Sequence, residues 1–300
     1  MKNVYSSFLL LLLFFACEAQ EDKDYNQSLK VKEILDLTYM PSSPLDKHKL
    51  DLYIPQNTTN PPLLIWIHGG AWAFGDRKKE RELARRFAEK GIAFAALSYR
   101  MSPALWADST RKEGIQHPAH IKDVAAAFAY LKNKASKYNY NEQNLFVSGY
   151  SAGGHLSALL AMDPRYLAKH QLSPQDIRAA IPIAGAYDLM DYYEVIKKHR
   201  GKLFADQHVR GVFGEKDQDI QDASVINYIP NLNRPTLMIS EDNTYNYTLV
   251  FEKAIPEAFK KWITFWHIRE ENHASLRKDL DQPQSKYRDR IIQFILAQKI

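Results

Sequence analysis

Short apolar runs alternate with longer amphipathic stretches along this chain from about residue 48 onward. Several runs are apolar at consecutive positions, as strands covered on both faces tend to be. Such alternation produces a mostly parallel sheet with helices on both faces, so the predicted fold class is α/β. Residues 187–222 show no clear period and are predicted to form an excursion above the sheet. The predicted strands span residues 50–54, 63–68, 92–99, 145–148, 180–184, 236–240 and 263–268, and the predicted helices span 77–89, 121–134, 152–162, 249–259 and 285–296.

Length and composition favour one large domain. At 300 residues the chain lies near the upper limit of what a single hydrophobic core supports. Its 45% hydrophobic and 25% charged residues are typical of a soluble globular protein. The net charge of +5 comes from 40 basic and 35 acidic residues spread along the chain, without a basic block that could follow a phosphate backbone. We predict one domain over residues 45–300 and no nucleic-acid partner.

The first 20 residues have the pattern of an export signal. Lys2 precedes an apolar run over residues 8–16, and small residues follow it. The run has about nine residues, whereas a bilayer span needs about 20, which argues against a retained anchor. A cleaved signal peptide is therefore predicted at residues 1–19, followed by a tether and N-terminal segment at residues 20–44.

Cys17 is the single cysteine of the chain, and it leaves two alternatives for processing. Residues 14–17 (Phe-Phe-Ala-Cys) resemble a loose bacterial lipobox, in which the cysteine becomes the acylated first residue of a lipoprotein. In the other alternative an ordinary signal peptidase cuts after Ala19. Both predict an exported bacterial protein, periplasmic, bound to the outer membrane through lipid at Cys17, or secreted. The mature domain has no cysteine pair, so packing and not disulfides must stabilise it.

Residues 149–153 (Gly-Tyr-Ser-Ala-Gly) match the nucleophile elbow G-x-S-x-G. In this motif the glycines let a strand turn sharply into a helix with the serine at the apex. Here the motif follows a strand pattern at residues 145–148 and opens a helix pattern at residues 156–160. This context predicts Ser151 as a nucleophile; the alternative is a glycine-rich turn with a surface serine.

A serine that attacks a carbonyl needs hydrogen-bond donors ready for the oxyanion that forms. Residues 68–72 (His-Gly-Gly-Ala-Trp) follow a predicted strand, as the HGGG-type oxyanion motif does. Gly69 and Gly70 lack Cβ atoms, so their backbone N–H groups can approach a substrate oxygen closely. The Ala152 N–H at the start of a helix is a further predicted donor. His68 is interpreted as a residue that organises this loop.

The general base is predicted near the C-terminus, because triads on such folds run in the order Ser, acid, His. His273 follows the last predicted strand, at the carboxyl edge of the sheet. His267 lies inside that strand and is interpreted as a packed or surface residue. His155 is four residues after Ser151 on one helix, where it can hold the elbow but cannot easily reach the serine proton.

The acid that orients the base should follow the predicted strand 236–240, where the sequence reads Glu241-Asp242-Asn243. The usual pattern opens this loop with a glycine and places an aspartate two or three positions later, but this chain has no glycine there. Asp242 is the predicted acid. Glu241 is the alternative, and one register places Asn243 at the acid position. An amide there can lower kcat by about 10⁴.

No cofactor is predicted. His117 and His120 have an H-x-x-H spacing, but no third ligand accompanies them, so a metal site is not expected. Neither a phosphate-binding P-loop nor a dinucleotide fingerprint occurs in the sequence.

Four segments together resemble the carboxylesterase branch of the α/β-hydrolases. They are residues 68–72, 98–103 (Ser-Tyr-Arg-Met-Ser-Pro), 117–124 (His-Pro-Ala-His-Ile-Lys-Asp-Val) and 149–156. The chain resembles the bacterial feruloyl or acetyl esterase-like (BD-FAE) group, related to hormone-sensitive lipase and arylformamidase, over roughly residues 45–298. It departs from the family at residues 104–116, a loop with Trp106 that is longer than usual and is predicted to border the acyl pocket.

The resemblance implies a serine hydrolase that cleaves a small carboxylic ester. Acetyl, short acyl and aromatic acyl groups remain open, and export suggests an acylated glycan as a source. Two alternatives remain: an amidase of the arylformamidase type, and a catalytically inactive hydrolase fold that binds carbohydrate or protein.

Overall fold

The structure, a computed structural model, describes residues 28–300. Within them lies an eight-stranded sheet in the order β1-β2-β4-β3-β5-β6-β7-β8. Strand β2 is antiparallel to both β1 and β4, and the remaining neighbours are parallel. The strands are β1 (Val31–Thr38), β2 (Lys49–Pro55), β3 (Leu63–Ile67), β4 (Ala93–Leu97), β5 (Leu145–Tyr150), β6 (Ala179–Ile183), β7 (Thr236–Glu241) and β8 (Ile263–Ile268).

The predicted α/β class and all seven predicted strands are confirmed. Strand β3 shows why a continuous apolar run marks a central strand. Alternate side chains of a strand face opposite sides of the sheet, and Ile65 lies in one buried cluster while Trp66 lies in the other. Each face therefore has its own core. Strand β1 was not predicted, and the predicted domain boundary at residue 45 therefore falls too late, because residues 31–38 already belong to the sheet.

Helices cover both faces of the sheet. Their bounds are α1 (Arg81–Ala88), α2 (Ala119–Tyr138), α3 (Ala152–Met162), α4 (Pro164–Ala168), α5 (Leu189–Arg200), α6 (Lys202–Ala205), α7 (Gly211–Phe213), α8 (Asp217–Ala223), α9 (Tyr245–Ala254), α10 (His273–Leu280) and α11 (Lys286–Gln298). Helices α2 and α3 pack on one face, and α1, α10 and α11 pack on the other. The five predicted helices are present, although the first begins with a 3₁₀ turn at Arg77–Glu80 and the fourth gives way to one at Glu257–Trp262.

Residues 187–223, called here the inserted segment, lie within the connection between β6 and β7 and are mostly helical. They hold α5 to α8 and one π-helical turn, Asp206–Arg210. The segment is fastened to the loop before α2, because His117 N–H donates to the Val212 carbonyl at 2.8 Å. The side chain of Gln116 also donates to the Arg210 carbonyl at 3.2 Å. The predicted excursion is thus an ordered layer beside the carboxyl edge of the sheet.

In the part of the chain that the structure describes, no helix has both the length and the apolar character needed to cross a bilayer. The predicted signal peptide at residues 1–19, the lipid site at Cys17 and the first part of the predicted tether lie outside the described residues.

Candidate active site

Ser151 occupies the turn between β5 and α3 with φ 56° and ψ −116°. A positive φ is strained for a residue with a side chain, so the surrounding structure must hold it there. The Ser151 N–H donates to the Ile183 carbonyl at 2.9 Å, and its carbonyl accepts from the His155 N–H at 3.0 Å. A Cβ at Gly153 would collide with the Ile67 carbonyl oxygen, so only glycine lets α3 start this close to β3. The elbow predicted from the sequence is present.

The glycine loop after β3 lies directly against the elbow. A Cβ built on Gly69 would be 2.8 Å from the Tyr150 carbonyl oxygen and 3.3 Å from Ser151 Cβ. The Gly70 carbonyl accepts from Ala73 N–H at 3.0 Å and Phe74 N–H at 2.8 Å, which closes the loop into a turn. Within residues 28–300, the N–H groups of Gly69 and Gly70 have no acceptor. Both amides therefore remain available as donors in the loop that lies against Ser151 through Gly69.

Ala152 is the first residue of α3, so its N–H is one of the amides that lack an acceptor inside a helix. The positive end of the helix dipole lies at the same point and favours negative charge there. The structure thus brings the three predicted donors, at Gly69, Gly70 and Ala152, to the two segments that meet at Ser151.

His68 is placed as a loop organiser. Its ring stacks on Tyr99 with centroids 4.4 Å apart, and its Nδ1 lies 2.8 Å from the Gly69 carbonyl oxygen. The Tyr99 hydroxyl donates to the His68 carbonyl at 3.1 Å. Burial lowers the pKa of His68 to about 4, so at neutral pH the ring is uncharged and Nδ1–H donates to Gly69. These contacts fix the direction in which the glycine loop leaves β3.

His273 and Glu241 form a hydrogen-bonded pair. His273 Nδ1 lies 2.9 Å from Glu241 Oε1, and the imidazole side chain is 40% exposed whereas Glu241 is completely buried. The Glu241 carboxylate also accepts from Thr244 Oγ1 at 2.8 Å and from the Asn243 N–H at 2.6 Å. The bond to Glu241 selects the tautomer with hydrogen on Nδ1 and leaves Nε2 as the acceptor.

The prediction that Asp242 is the acid is wrong in this structure. Asp242 is 53% exposed and pairs with Arg269 at 2.9 Å. Strand β7 continues through Glu241, whose carboxylate contacts His273, and Asp242 follows in the turn, where its carboxylate contacts Arg269. Asn243, the other register considered, accepts from the His273 N–H at 2.9 Å and does not contact the ring.

Tyr150, the residue before the serine, holds the base from the other side. Its hydroxyl donates to the His273 carbonyl at 2.7 Å, and the two rings have centroids 4.9 Å apart. The imidazole is therefore packed next to the elbow. No hydrogen bond joins the Ser151 hydroxyl to His273 in the described part of the chain. Hydrogen bonds of this kind are often long without substrate and tighten when substrate binds. The contribution of Tyr150 was missed, because the second residue of the motif is unrestricted in sequence.

Helix α10, which begins at His273, is held from below the sheet by a buried ion pair. Arg277, one turn along, contacts Glu80 at 2.6 Å and Asp281 at 2.7 Å. Glu80 also accepts from Trp66 Nε1 at 3.0 Å. Because Glu80 ends the 3₁₀ turn before α1, these contacts attach α10 to that turn.

His155 lies in α3 and connects three parts of the site. Its Nδ1 accepts from Trp72 Nε1 at 3.3 Å, and its Nε2 lies 2.8 Å from the Ala223 carbonyl. Burial lowers the pKa of His155 to about 4, so the ring is neutral. It thereby ties the glycine loop and the inserted segment to the helix after the serine.

The other histidines considered from sequence have separate partners. His267 contacts Ser240 at 2.6 Å and Glu252 at 2.9 Å, away from the serine. His117 Nε2 lies 3.2 Å from the Tyr166 hydroxyl, and His120 Nε2 lies 2.8 Å from Ser102 Oγ. Among residues 28–300, no group of three or more histidine, cysteine or acidic side chains could hold a metal ion.

The mostly parallel sheet, the strained serine at the end of β5 and the His–Glu pair after β7 and β8 define an α/β-hydrolase. Within that class, the chain belongs to the BD-FAE family, whose model matches residues 50–248. The predicted family resemblance is confirmed.

The chain is similar to two kinds of curated relative. The probable carboxylic ester hydrolase LipM of Mycobacterium tuberculosis is 31% identical over 177 residues, which is 57% of this chain and 38% of that protein. The kynurenine formamidase of Salmo salar is 27% identical over 143 residues, which is 47% of this chain and 43% of that protein. The chain therefore spans less than half the length of either.

Among solved structures, a truncated form of a carbohydrate esterase from gut microbiota superposes with a TM-score of 0.68 and 19% identity, over 91% of this chain and 98% of that one. Esterase B from Lactobacillus rhamnosis, in a phosphonate-inhibited form, superposes with a TM-score of 0.70 and 19% identity, over 89% and 84%. At these identities the likeness concerns the fold.

Proposed function

We propose that this protein is a serine hydrolase that cleaves a small carboxylic ester through an acyl-enzyme on Ser151. The observation that carries the proposal is the convergence of a strained serine, free glycine-loop amides and an oriented imidazole on one edge of the sheet. The family membership and the relatives named as esterases support the same chemistry.

In the first step, Ser151 Oγ attacks the ester carbonyl carbon while His273 Nε2 takes the serine proton. The carbonyl oxygen becomes an oxyanion, which the N–H groups of Gly69, Gly70 and Ala152 stabilise. Glu241 keeps the imidazole in the required tautomer and stabilises its positive charge. The tetrahedral intermediate then expels the alkoxide, and His273 gives it the proton, leaving an acyl-serine and a free alcohol.

In the second step, His273 removes a proton from water, and the hydroxide attacks the acyl-serine carbonyl. The same amides stabilise the second oxyanion, and its collapse returns the proton to Ser151 and releases a carboxylic acid. No cofactor takes part in this scheme.

The proposed substrates carry an acetyl, short acyl or aromatic acyl group. The fold likeness to a carbohydrate esterase supports an acylated glycan as their source. The apolar run before Cys17 supports export, either as a lipoprotein or after ordinary signal cleavage, and an exported enzyme would meet such polymers.

The test is hydrolysis of p-nitrophenyl acetate, together with labelling by a fluorophosphonate probe that reacts with activated serines. We expect turnover and one label in the unaltered protein, and loss of both in Ser151→Ala.

Ser43 offers a matched control, because it also contacts a histidine, with Oγ 2.5 Å from His48 Nδ1. Ser43→Ala should keep both signals. Labelling that survives Ser151→Ala would contradict the assigned nucleophile, and absence of label and turnover would favour an inactive, binding hydrolase fold.

An amidase is the second candidate, supported by the similarity to a protein named kynurenine formamidase. N-formylkynurenine and phenyl acetate separate the two, since both place a small acyl group on an aryl leaving group. A kcat/KM that is higher for the formamide would replace the esterase proposal.

A further inference from the structure

A row of packed aromatic rings lies along the edge of the sheet beside the proposed catalytic groups. Trp106 contacts Phe204 and His208, with ring centroids 5.7 and 4.7 Å away, and Tyr192 Oη lies 2.8 Å from His208 Nε2. These four residues are called the aromatic belt. Trp106 comes from the loop that departs from the family pattern, and the other three come from the inserted segment.

The belt reaches both halves of the proposed catalytic machinery. At one end Trp106 packs on Phe74, with centroids 5.7 Å apart, and the Phe74 N–H donates to the Gly70 carbonyl of the glycine loop. At the other end Tyr192 packs on Tyr247, with centroids 5.1 Å apart, in the helix that follows the Glu241 turn. Tyr192 also packs on Trp72, the last residue of the His-Gly-Gly-Ala-Trp segment, with centroids 6.4 Å apart, so the belt lies against the loop that meets Ser151.

Two polar atoms of the belt are buried without a hydrogen-bond partner in the described structure. They are Trp106 Nε1 and His208 Nδ1. His208 is 5% exposed, and its ring is neutral at physiological pH because burial lowers its pKa to about 4. Buried polar atoms are nearly always paired, so two orphans in adjoining rings call for an explanation. His208 also sits in the π-helical turn, a feature that occurs frequently at functional sites.

The chemistry of the two atoms defines what could pair with them. The indole N–H of Trp106 can only donate, whereas the free nitrogen of a neutral histidine donates or accepts according to its tautomer. A hydroxyl group can accept from Trp106 and also meet either tautomer of His208. A hydrocarbon can satisfy neither atom. Arg111 lies over the ring of Phe74 and Arg200 lies over the ring of Phe204, each 4.2 Å from the ring centroid, and neither contacts the two nitrogens.

We propose that Trp106 and His208 form a subsite that recognises a hydroxyl group on a ring of the ester substrate. This inference rests on the proposed function and adds specificity to it. The hydroxylated ring belongs either to a sugar on the alcohol side of the ester or to a hydroxyaryl group on the acyl side. In both cases a ring without the hydroxyl leaves two buried nitrogens unpaired and is bound less well in the transition state.

Two matched pairs of esters test the subsite. The acyl pair is methyl 3-phenylpropanoate and methyl 3-(4-hydroxyphenyl)propanoate. The alcohol pair is cyclohexylmethyl acetate and the 6-O-acetyl ester of methyl glucopyranoside. We expect kcat/KM to be at least about tenfold higher for the hydroxylated member of one pair, as a buried hydrogen bond of ordinary strength produces. The pair that shows the preference identifies the acyl or the alcohol side as its source.

Variants then locate the preference. Both variants keep an aromatic ring: Trp106→Phe removes the indole N–H, and His208→Phe removes Nδ1 together with the Nε2 contact to Tyr192. Each should lower the ratio of the two kcat/KM values at least about fivefold. Trp262→Phe is the matched control, because it makes the same chemical change as Trp106→Phe in the 3₁₀ turn Glu257–Trp262, outside the belt; its ratio should stay at the original value.

The outcomes separate the two proposals. A ratio below about twofold in both pairs, with p-nitrophenyl acetate still hydrolysed, overturns the subsite and leaves the esterase proposal intact. Retention of the original ratio in either Trp106→Phe or His208→Phe also overturns it. Absence of p-nitrophenyl acetate hydrolysis contradicts the proposed function itself.

Discussion

Replacement of Glu241 by glutamine is the sharpest test of the acid assignment, because it changes charge and hydrogen bonding with little change in shape. In the structure the carboxylate only accepts: from His273 and Thr244 at Oε1, and from the Asn243 N–H at Oε2. A glutamine must turn its NH₂ toward one side. Facing His273, it forces the tautomer in which Nε2 carries the hydrogen and cannot accept the serine proton. Facing Asn243, the NH₂ group is set against the Asn243 N–H, so two donors oppose each other in a buried site.

Either orientation of the glutamine amide should lower kcat. An amide in place of the orienting carboxylate of a triad lowers kcat by about 10⁴, or about 5 kcal/mol at 1.36 kcal/mol for each factor of ten. We expect a fall of 10³- to 10⁴-fold in kcat for Glu241→Gln, measured with p-nitrophenyl acetate under saturating conditions. Thermal unfolding of the same preparation shows whether the variant is folded at the assay temperature.

Asp242→Asn is the matched control, because it makes the same chemical change one residue later. Asp242 is 53% exposed and its partner Arg269 is 54% exposed, so this ion pair contributes little. Its kcat should stay within about twofold of the original value. Equal losses in the two variants, or a loss confined to Asp242→Asn, would refute the assignment drawn from the structure.

Two further predictions concern the glycine loop and the buried histidines. Gly69→Ala should lower kcat about 10²- to 10³-fold, because its Cβ would lie 2.8 Å from the Tyr150 carbonyl oxygen and displace the oxyanion donors. Gly211→Ala is the control: its Cβ would meet only the Asp206 carbonyl oxygen at 3.8 Å, so this variant should keep full activity. Similar kcat values for the two variants would contradict this. Burial lowers the pKa of His120 to about 3 and that of His155 to about 4, from an ordinary 6.5. As the pH falls, the unfolded chain therefore binds protons before the folded protein does. The free energy of unfolding should fall between pH 7 and pH 5, by about 2 kcal/mol for each such histidine. Urea unfolding at the two pH values should show a smaller fall in His155→Gln than in the unaltered protein, and an equal fall would refute the reasoning.

The strands that could be predicted from the sequence are those whose buried environment restricts the type of residue at each position. Strand β3 is buried along its whole length, so all of its positions must be apolar. The elbow could be predicted for a related reason: only glycine fits at Gly153, where α3 approaches the Ile67 carbonyl. In both cases a local rule of packing restricts the residue type directly.

The parts that could not be predicted depend on tertiary contacts. Strand β1 lies at the sheet edge with three of its eight residues exposed and none fully buried, and its charged residues conceal the pattern of a strand. The rings of the inserted segment pack in two directions, toward the core and toward the loop that holds Trp106. Its helices therefore do not have one single apolar face, and the sequence shows no clear helical period. Helix α10 begins at His273 with Asn272 as its cap, but a helix of eight residues produces too short a pattern to recognise.

The acid could not be selected from the sequence because the decision rests on where β7 ends. If the strand had ended at residue 240, as predicted, the following residues would have formed a loop whose second position could turn toward the base. Because β7 continues through Glu241, the side chain there points to His273, and the length of glutamate carries its carboxylate from the strand end to the imidazole. The absence of a glycine at the start of this loop is consistent with that extra strand residue.

This arrangement also determines how the base is positioned. The turn after β7 supplies the Asn243 N–H to the acid and the Asn243 side-chain oxygen to the His273 N–H, so one turn holds both members of the pair. Tyr150 fastens the His273 carbonyl to the residue beside Ser151. The backbone of His273 is thus attached on one side to the turn after Glu241 and on the other to the residue before Ser151. The distance between Ser151 and the imidazole then depends on the His273–Tyr150 and His273–Asn243 hydrogen bonds more than on the exposed loop between β8 and α10.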